Sequence, residues 1–376
     1  MKMKTEVVIV GGGPAGLAAG IELAKEGINT VLIEYHEHPR KKTCAGILTE
    51  KTHKLLADMI SLDENPLVLS SCNVSLYFNK TYMYSFITEK PFLFVDRSSF
   101  DYELLKYYQK HGGNVLMPEK VVDIDFPQNR LRLSNGQNLS YKALIVADGI
   151  NSPICKMMNL LDIEKGFCIQ NSFPRIACPE TASKLSGLCL EYGSIPFGYS
   201  WIVTNQDEII LGTGMMVSQF NWNNMLQEHE KLCSLFGVPK NSVRRGAFIP
   251  VGELRNQIHH PFENIVIIGD AAGFINPITG EGIYLALLSG KYAAKSYLTS
   301  PKTLRSAFLS LTKTISQTIS EHKALLPEIY QTDFLKQFVY QFKEFPQYVS
   351  SVCDEIISSE KRSYSSFVSE VKSLLR

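Results

Sequence analysis

The sequence has no run of about 18 uncharged apolar residues, so no membrane-spanning helix is expected. It has no Cys-x-x-Cys pair; its cysteines stand at 44, 72, 155, 168, 178, 189, 233 and 353, which excludes a zinc ribbon or a thioredoxin-type motif. The eight histidines show no metal-ligand spacing either, and no metal is expected. Charge of one sign is missing: 38 Lys+Arg against 37 Asp+Glu leave a net charge of +1, and with it no electrostatic case for a nucleic-acid partner. What is present, 45% hydrophobic and 20% charged residues over 376 positions, is the composition of a soluble globular protein of about two domains. A long apolar leader is absent before the strand-like Val7–Val10 run, so a cytoplasmic location and mostly free, buried thiols are expected.

Residues 5–34 read as strand, tight turn, helix and strand. The turn carries Gly11-x-Gly13-x-x-Gly16, with Pro14 and Ala15 between the last two glycines, and Glu34 ends the next strand. That order gives each residue a task. Gly11 permits the turn, Gly13 leaves room for a pyrophosphate, and Gly16 lets the helix approach the strand. The helix N-terminus offers N–H groups to the phosphates. Glu34 can accept both hydroxyls of an adenosine ribose and would repel a 2′-phosphate, which fits FAD or NAD. A second strand-to-helix patch, Gly269-Asp270-Ala271-Ala272-Gly273 followed by Gly280-Glu281-Gly282-Ile283, lies far downstream. Asp270 can accept a hydroxyl from a ribityl chain, and the glycines around Glu281 let backbone N–H groups approach a flavin edge. So distant a second patch suits a cofactor as long as FAD. Asp148-Gly149 after a strand, and Arg97 at a helix start, complete the set; Arg97 is expected to pair with the pyrophosphate.

The middle of the chain is β-rich, with runs at 74–78, 82–87, 92–95, 121–125, 143–146, 167–173, 187–191, 199–204 and 208–213, and helical stretches at 99–111 and 222–236. The expected fold is α/β with mixed α+β character: a Rossmann-type dinucleotide domain (1–70, 97–165 and 245–300) interleaved with a mixed-sheet substrate domain (71–96 and 166–244), then a helical segment, 301–376. Phe308, Leu311, Ile315 and Ile319 stand at helical spacing in that segment. Packing on its own domain is the expectation, and a membrane-surface helix the alternative.

In this order the motifs resemble the FAD-dependent enzymes of the para-hydroxybenzoate hydroxylase fold and, within them, the geranylgeranyl reductase family. Lys42-Thr43-Cys44-Ala45-Gly46 is similar to that family's Lys-x-Cys-Gly-Gly segment, with Ala45 in place of a glycine. Pro196-Phe197-Gly198-Tyr199-Ser200-Trp201, with Gly212 and Gly214, is similar to its pocket strand, although Ile202-Val203-Thr204 replaces Phe-Pro-Lys. The resemblance runs over residues 5–300. It implies hydride transfer from reduced FAD to isolated double bonds of an isoprenoid chain, and cofactor contacts from Tyr35, Cys44, Ala45, Val121 and Ile283. Cys44 is then the catalytic candidate, as proton donor or as pocket wall, with Lys42 able to lower its pKa. Tyr199 and Trp201 alternate on one strand face and would offer flat walls to an isoprenoid or lipid.

No second GxGxxG appears, so NAD(P)H would visit the flavin transiently; ferredoxin is an equally permitted donor. The competing readings are an aromatic monooxygenase using NAD(P)H and oxygen, and a flavin-bound lipid-binding protein without turnover. His259-His260 reads as a solvated pair in a polar loop, and Arg244-Arg245 as an exposed pair.

Overall fold

The computed structural model describes residues 3–60, 68–177, 187–204, 208–219, 221–239, 242–257 and 260–330. Cys178, Cys353, His259 and the expected helical tail beyond 330 lie outside the described residues. Three sheets carry the chain. The first is parallel and five-stranded, in the order β17-β11-β2-β3-β7: β2 (Val7–Val10), β3 (Thr30–Ile33), β7 (Asn114–Leu116), β11 (Ala143–Val146) and β17 (Ile265–Ile267). Every residue of β2, β3, β11 and β17 is buried. Helices on both faces of a parallel sheet require this, and it is why these strands read as unbroken apolar runs. The helices are α1 (Pro14–Lys25), α3 (Arg97–Lys110), α6 (Ile283–Thr299) and α7 (Leu304–Ile329). Phe308 and Ile319 of α7 are buried in the same core, so its apolar stripe packs inward.

A small four-stranded sheet, β1-β10-β9-β8, is made by β1 (Met3–Lys4), β8 (Val121–Asp125), β9 (Arg130–Leu133) and β10 (Asn138–Ser140). The third sheet is mixed and eight-stranded, in the order β16-β12-β15-β14-β13-β5-β6-β4. Its strands are β4 (Ile47–Leu48), β5 (Val68–Phe78), β6 (Thr81–Val95), β12 (Lys165–Pro174), β13 (Leu188–Tyr192), β14 (Gly198–Thr204), β15 (Glu208–Met216) and β16 (Val243–Pro250). The remaining helices are α2 (Glu50–Met59), α4 (Pro153–Met157) and α5 (Trp222–Leu235). The mixed sheet thus takes β4 and β16 from segments that the sequence reading grouped largely with the dinucleotide domain.

Two sequence expectations change here. The runs at 82–87 and 92–95 are one strand, β6, which continues through the exposed Glu89-Lys90-Pro91 and forms a hairpin with β5. Asn79 and Lys80, both at positive φ, make the tight turn whose twist suits paired strands. His260 is buried rather than solvated, and burial, with Arg305 nearby, lowers its pKa to about 4. Arg244 and Arg245 are exposed as expected, on the edge strand β16, where charge discourages further pairing.

Candidate active site

The loop between β2 and α1 is shaped by backbone contacts that leave no room for side chains. Gly11 has φ +111°, and a Cβ there would stand 2.2 Å from the Ala147 carbonyl oxygen. A Cβ on Gly16 would stand 2.0 Å from the Gly11 oxygen. Gly13, by contrast, faces open space: a Cβ added there would find an Arg40 nitrogen as its nearest neighbour, 3.7 Å away. Pro14 and Ala15 open α1, so the first N–H groups of the helix face that space. Glu34 sits at the end of β3 with its carboxylate fixed by two backbone donors: Gly12 N–H to Oε2 at 2.6 Å and His36 N–H to Oε1 at 2.8 Å. Val121 is held close by, since Glu119 N–H donates to the Glu34 carbonyl. Tyr35 is 59% exposed, with Lys120 over its ring.

The downstream patch converges on the same place. A Cβ on Gly269 would meet Ala15 Cβ at 2.7 Å, and one on Gly290 of α6 would meet the Ala15 oxygen at 2.3 Å. The loop before α6 closes on itself: Gly280 N–H donates to the Asn276 carbonyl, and Asn276 N–H to that of Glu281. The Glu281 carboxylate accepts from Thr49 at 2.6 Å and pairs with Lys51 at 2.6 Å, leaving the backbone of Gly280, Glu281, Gly282 and Ile283 as the part able to meet a ligand. Asp270 lies 3.8 Å from Lys42. Behind the pair Asp148-Gly149, Asp148 Oδ1 is buried without a hydrogen-bond partner. Burial raises this carboxyl to about 6 against the hydrogen bonds it accepts from Ser152 and Ile154.

These features fit an FAD molecule. An open glycine cradle at a helix start, a fixed carboxylate at the ribose position and a second glycine loop beside them form one continuous path. Along it, Asp148 Oδ1 and Arg40 Nε are polar atoms that a bound ligand or water would satisfy.

Beyond the glycine loop lies a cavity of about 390 Å³ between the mixed sheet, the 43–51 segment, the 275–283 loop and the end of α7. The alternation of β14 creates its wall. Tyr199 and Trp201 face the cavity, while Ile202 on the other face packs with Leu232 and Cys233 of α5. The indole needs a small opposite neighbour, and the register supplies it: Trp201 pairs with Gly212, where a Cβ would approach the ring to 2.2 Å. Tyr199 donates its hydroxyl to the Thr279 carbonyl at 2.6 Å, tying the sheet to the glycine loop. Val74, Leu76, Phe86 and Phe92 extend the apolar wall.

Cys44 and Ala45 line this cavity. Gly46 N–H donates to the Cys44 sulfur at 3.4 Å, and Gly46, at φ +68°, takes a shape that the adjoining Val95 carbonyl forbids to larger residues. The cation that acts on Cys44 is not Lys42, which points to Asp270, but Arg97, whose guanidinium lies beside the thiol. Arg97 is buried and binds Asp101 through two bonds of 3.0 Å, from Nε and Nη2. Sequence reasoning missed Arg40, Lys51 and Asp101. Of these, Asp101 had a signal: it stands four residues after Arg97 on one helix face.

Comparison with known proteins agrees with this geometry. The family described as "FAD binding domain" matches residues 4–66. Over 311 residues the chain is 29% identical to an uncharacterized protein of Methanosarcina barkeri, covering 80% of this chain and 76% of that one. It is 25% identical to the menaquinone reductase of Mycolicibacterium smegmatis (78% and 76% covered) and 26% identical to the digeranylgeranylglycerophospholipid reductase of Methanococcus vannielii (81% and 80% covered). A crystal structure of a geranylgeranyl bacteriochlorophyll reductase-like protein from Thermoplasma acidophilum superposes with a TM-score of 0.77 at 19% identity over the whole of both chains, which shows a common fold. Among the described residues no helix is long and apolar enough to cross a membrane, and no His/Cys/Asp/Glu group could hold a metal ion. The cofactor is FAD, and the chain is an FAD-dependent oxidoreductase that is similar to geranylgeranyl reductases.

Proposed function

We propose that this protein reduces carbon–carbon double bonds in the isoprenoid chain of a lipid. The observation that carries the reading is the apolar cavity that opens onto the glycine loop before α6 and is walled by Tyr199, Trp201 and Phe92. Bound FAD supplies the two-electron reducing chemistry. The chain's own residues supply the rest. Gly11, Gly13, Pro14, Ala15, Gly16 and Glu34 hold the adenosine and phosphate part, with Tyr35 and Val121 alongside. Asp148, Gly149, Gly269, Asp270 and the backbone of 280–283 hold the remainder. The aromatic and aliphatic wall orients a hydrocarbon chain and excludes water from it. Cys44, with Ala45 beside it, is the group that carries an exchangeable proton to the reacting carbon, held in place by Arg97. The electron donor is NAD(P)H or ferredoxin, and the lipid is taken up by peripheral contact with a membrane.

The test is anaerobic. The purified holoprotein is reduced with dithionite and mixed with a geranylgeranylated glycerolipid. Flavin reoxidation with a lipid mass gain of about 2 Da per bond is expected. Cys44→Ser is expected to retain flavin and lose about 100-fold in that rate, the scale of a displaced general acid. Reoxidation only by oxygen, with an oxygenated product, would make the protein a monooxygenase; a protein that binds the lipid and leaves it unreduced would make it a carrier.

A further inference from the structure

Two helix starts meet at one carboxylate. Glu281 stands between Gly280 and Gly282 just before α6, and the start of α2 lies opposite it. Its Oε1 accepts the Thr49 hydroxyl at 2.6 Å, and its Oε2 is 2.6 Å from Lys51 Nζ. Both charged side chains are mostly buried, Lys51 at 16% and Glu281 at 13% exposure. The Lys51 ammonium also lies 4.8 Å from the ring centre of Tyr284, the second residue of α6.

Two choices in this segment run against local helix rules. Thr49 is the N-cap of α2, yet its side chain bonds no backbone N–H of that helix. Its one hydroxyl proton goes to Glu281, so Thr52, 3.0 Å away, gives its own to Thr49. Lys51 puts a positive charge in the first turn, where the helix dipole disfavours it. What the two residues hold across the gap explains both departures. Their segment follows Cys44 through the short strand β4, and Glu281 belongs to the glycine loop. Among the described residues that line the cavity, Lys51 and Glu281 are the only charged ones, and they cancel each other.

We propose that the Lys51–Glu281 pair is a neutral bolt: it fixes the flavin loop to the segment that carries Cys44, and it does so without adding net charge beside the flavin. The backbone of 280–283 is taken as the part that meets the flavin, so Lys51 and Glu281 are positioning residues. Electrons arriving on a flavin bring negative charge. A bare carboxylate nearby therefore opposes reduction, and a bare ammonium favours it.

The experiment uses the full chain as holoprotein, reduced slowly at pH 8 against a reference dye, so that the two spectra give the reduction equilibrium. Lys51→Met leaves the carboxylate bare and should make reduction about tenfold less favourable, about 30 mV for two electrons. Glu281→Gln leaves the ammonium bare and should make it about tenfold more favourable. Lys51→Met with Glu281→Gln should return to within about threefold of wild type. In that double variant, alkylation of Cys44 by iodoacetamide, followed by peptide mass, should run about fivefold faster with flavin bound, because the segment is no longer tied. Single-variant shifts that are not opposite in sign, or that stay within about twofold, overturn the proposal. So does unchanged Cys44 alkylation in the double variant. If Glu281→Gln releases its flavin, Lys51→Met is read against Lys51→Arg, which keeps the charge, and equal potentials in those two reject the bolt. None of these readouts uses a lipid, so a failure here leaves the prenyl-reduction reading standing, and the reverse.

Discussion

The two main sheets bury apolar residues to different ends. In the parallel sheet both faces are covered by helices, so β2, β3, β11 and β17 are buried at every position and the ligand contacts sit in the loops at the strand ends. In the mixed sheet one face is kept partly open. Tyr199, Trp201, Leu76 and Phe86 leave a cavity, while the opposite face is closed by α5 through Ile202, Leu232 and Cys233. The first sheet therefore behaves as a rigid holder, sensitive to any added atom at its loops. The second tolerates volume changes on the cavity side, at the expense of what the cavity can admit.

The sharpest way to break this comparison is Gly16→Val. The new side chain would begin 2.0 Å from the Gly11 carbonyl oxygen, and neither backbone can withdraw without parting α1 from β2. Overpacking of this kind costs about 3 kcal/mol or more, and the purified protein should be colourless, as absorbance near the flavin band will show. Gly136→Ala, in the turn between β9 and β10, is the matched control. Its φ of +85° is unfavourable, yet nothing lies within 4 Å, so the cost should stay at about 1–2 kcal/mol and flavin should remain.

A smaller effect is expected on the other sheet. Ile249 of β16 is half-buried and lines the cavity. Ile249→Trp should fill part of that space, lower prenyl-lipid turnover about 10-fold or more, and leave FAD content unchanged. A parallel loss of flavin would show that the two sheets are not separable in function.

Much of this was legible in the sequence because the parallel sheet follows simple rules. Val7–Val10 and Ala143–Val146 are apolar runs that end in glycine-bearing turns, and the helix after the first opens with a proline. The mixed sheet was harder. β6 crosses Glu89-Lys90-Pro91, residues that argue against a strand interior but sit exposed in a bulge, where the register with β5 shifts and they pair with no residue of it. β16 carries Arg244 and Arg245 on an edge, so its pattern lacks the buried alternation that marks a strand. α2 was missed altogether. At the site, the glycine patches announced themselves, whereas the grouping of Arg97 with Arg40 did not. It depends on Asp101 lying between them in space, and sequence spacing carries no such information.

The smallest of the expected effects reports on the closed face of the mixed sheet. His229 of α5 is fully buried, its Nδ1 2.8 Å from Thr213 Oγ1 and its Nε2 2.8 Å from Asn171 Oδ1. Desolvation, with Arg244 nearby, lowers its pKa from 6.5 to about 4. Between those values the unfolded chain takes up a proton that the folded chain refuses. Stability must therefore be full above about pH 6.5, fall by up to about 1.4 kcal/mol per unit as pH drops toward 4, and fall no further below it on account of this residue. The only two tryptophans, Trp201 on β14 and Trp222 at the start of α5, both belong to this half of the molecule, so urea unfolding followed by their fluorescence reads it directly, and flavin absorbance reads the other half. His229→Gln keeps a donor and an acceptor but cannot titrate. Its tryptophan-detected midpoint should lie below wild type at pH 7, and the gap should close or reverse by pH 5, with the flavin-detected transition little moved. A wild-type slope that survives the substitution would mean that α5 is not what acid loosens first, and would transfer that role to the other buried histidines of lowered pKa, His38, His260 and His322.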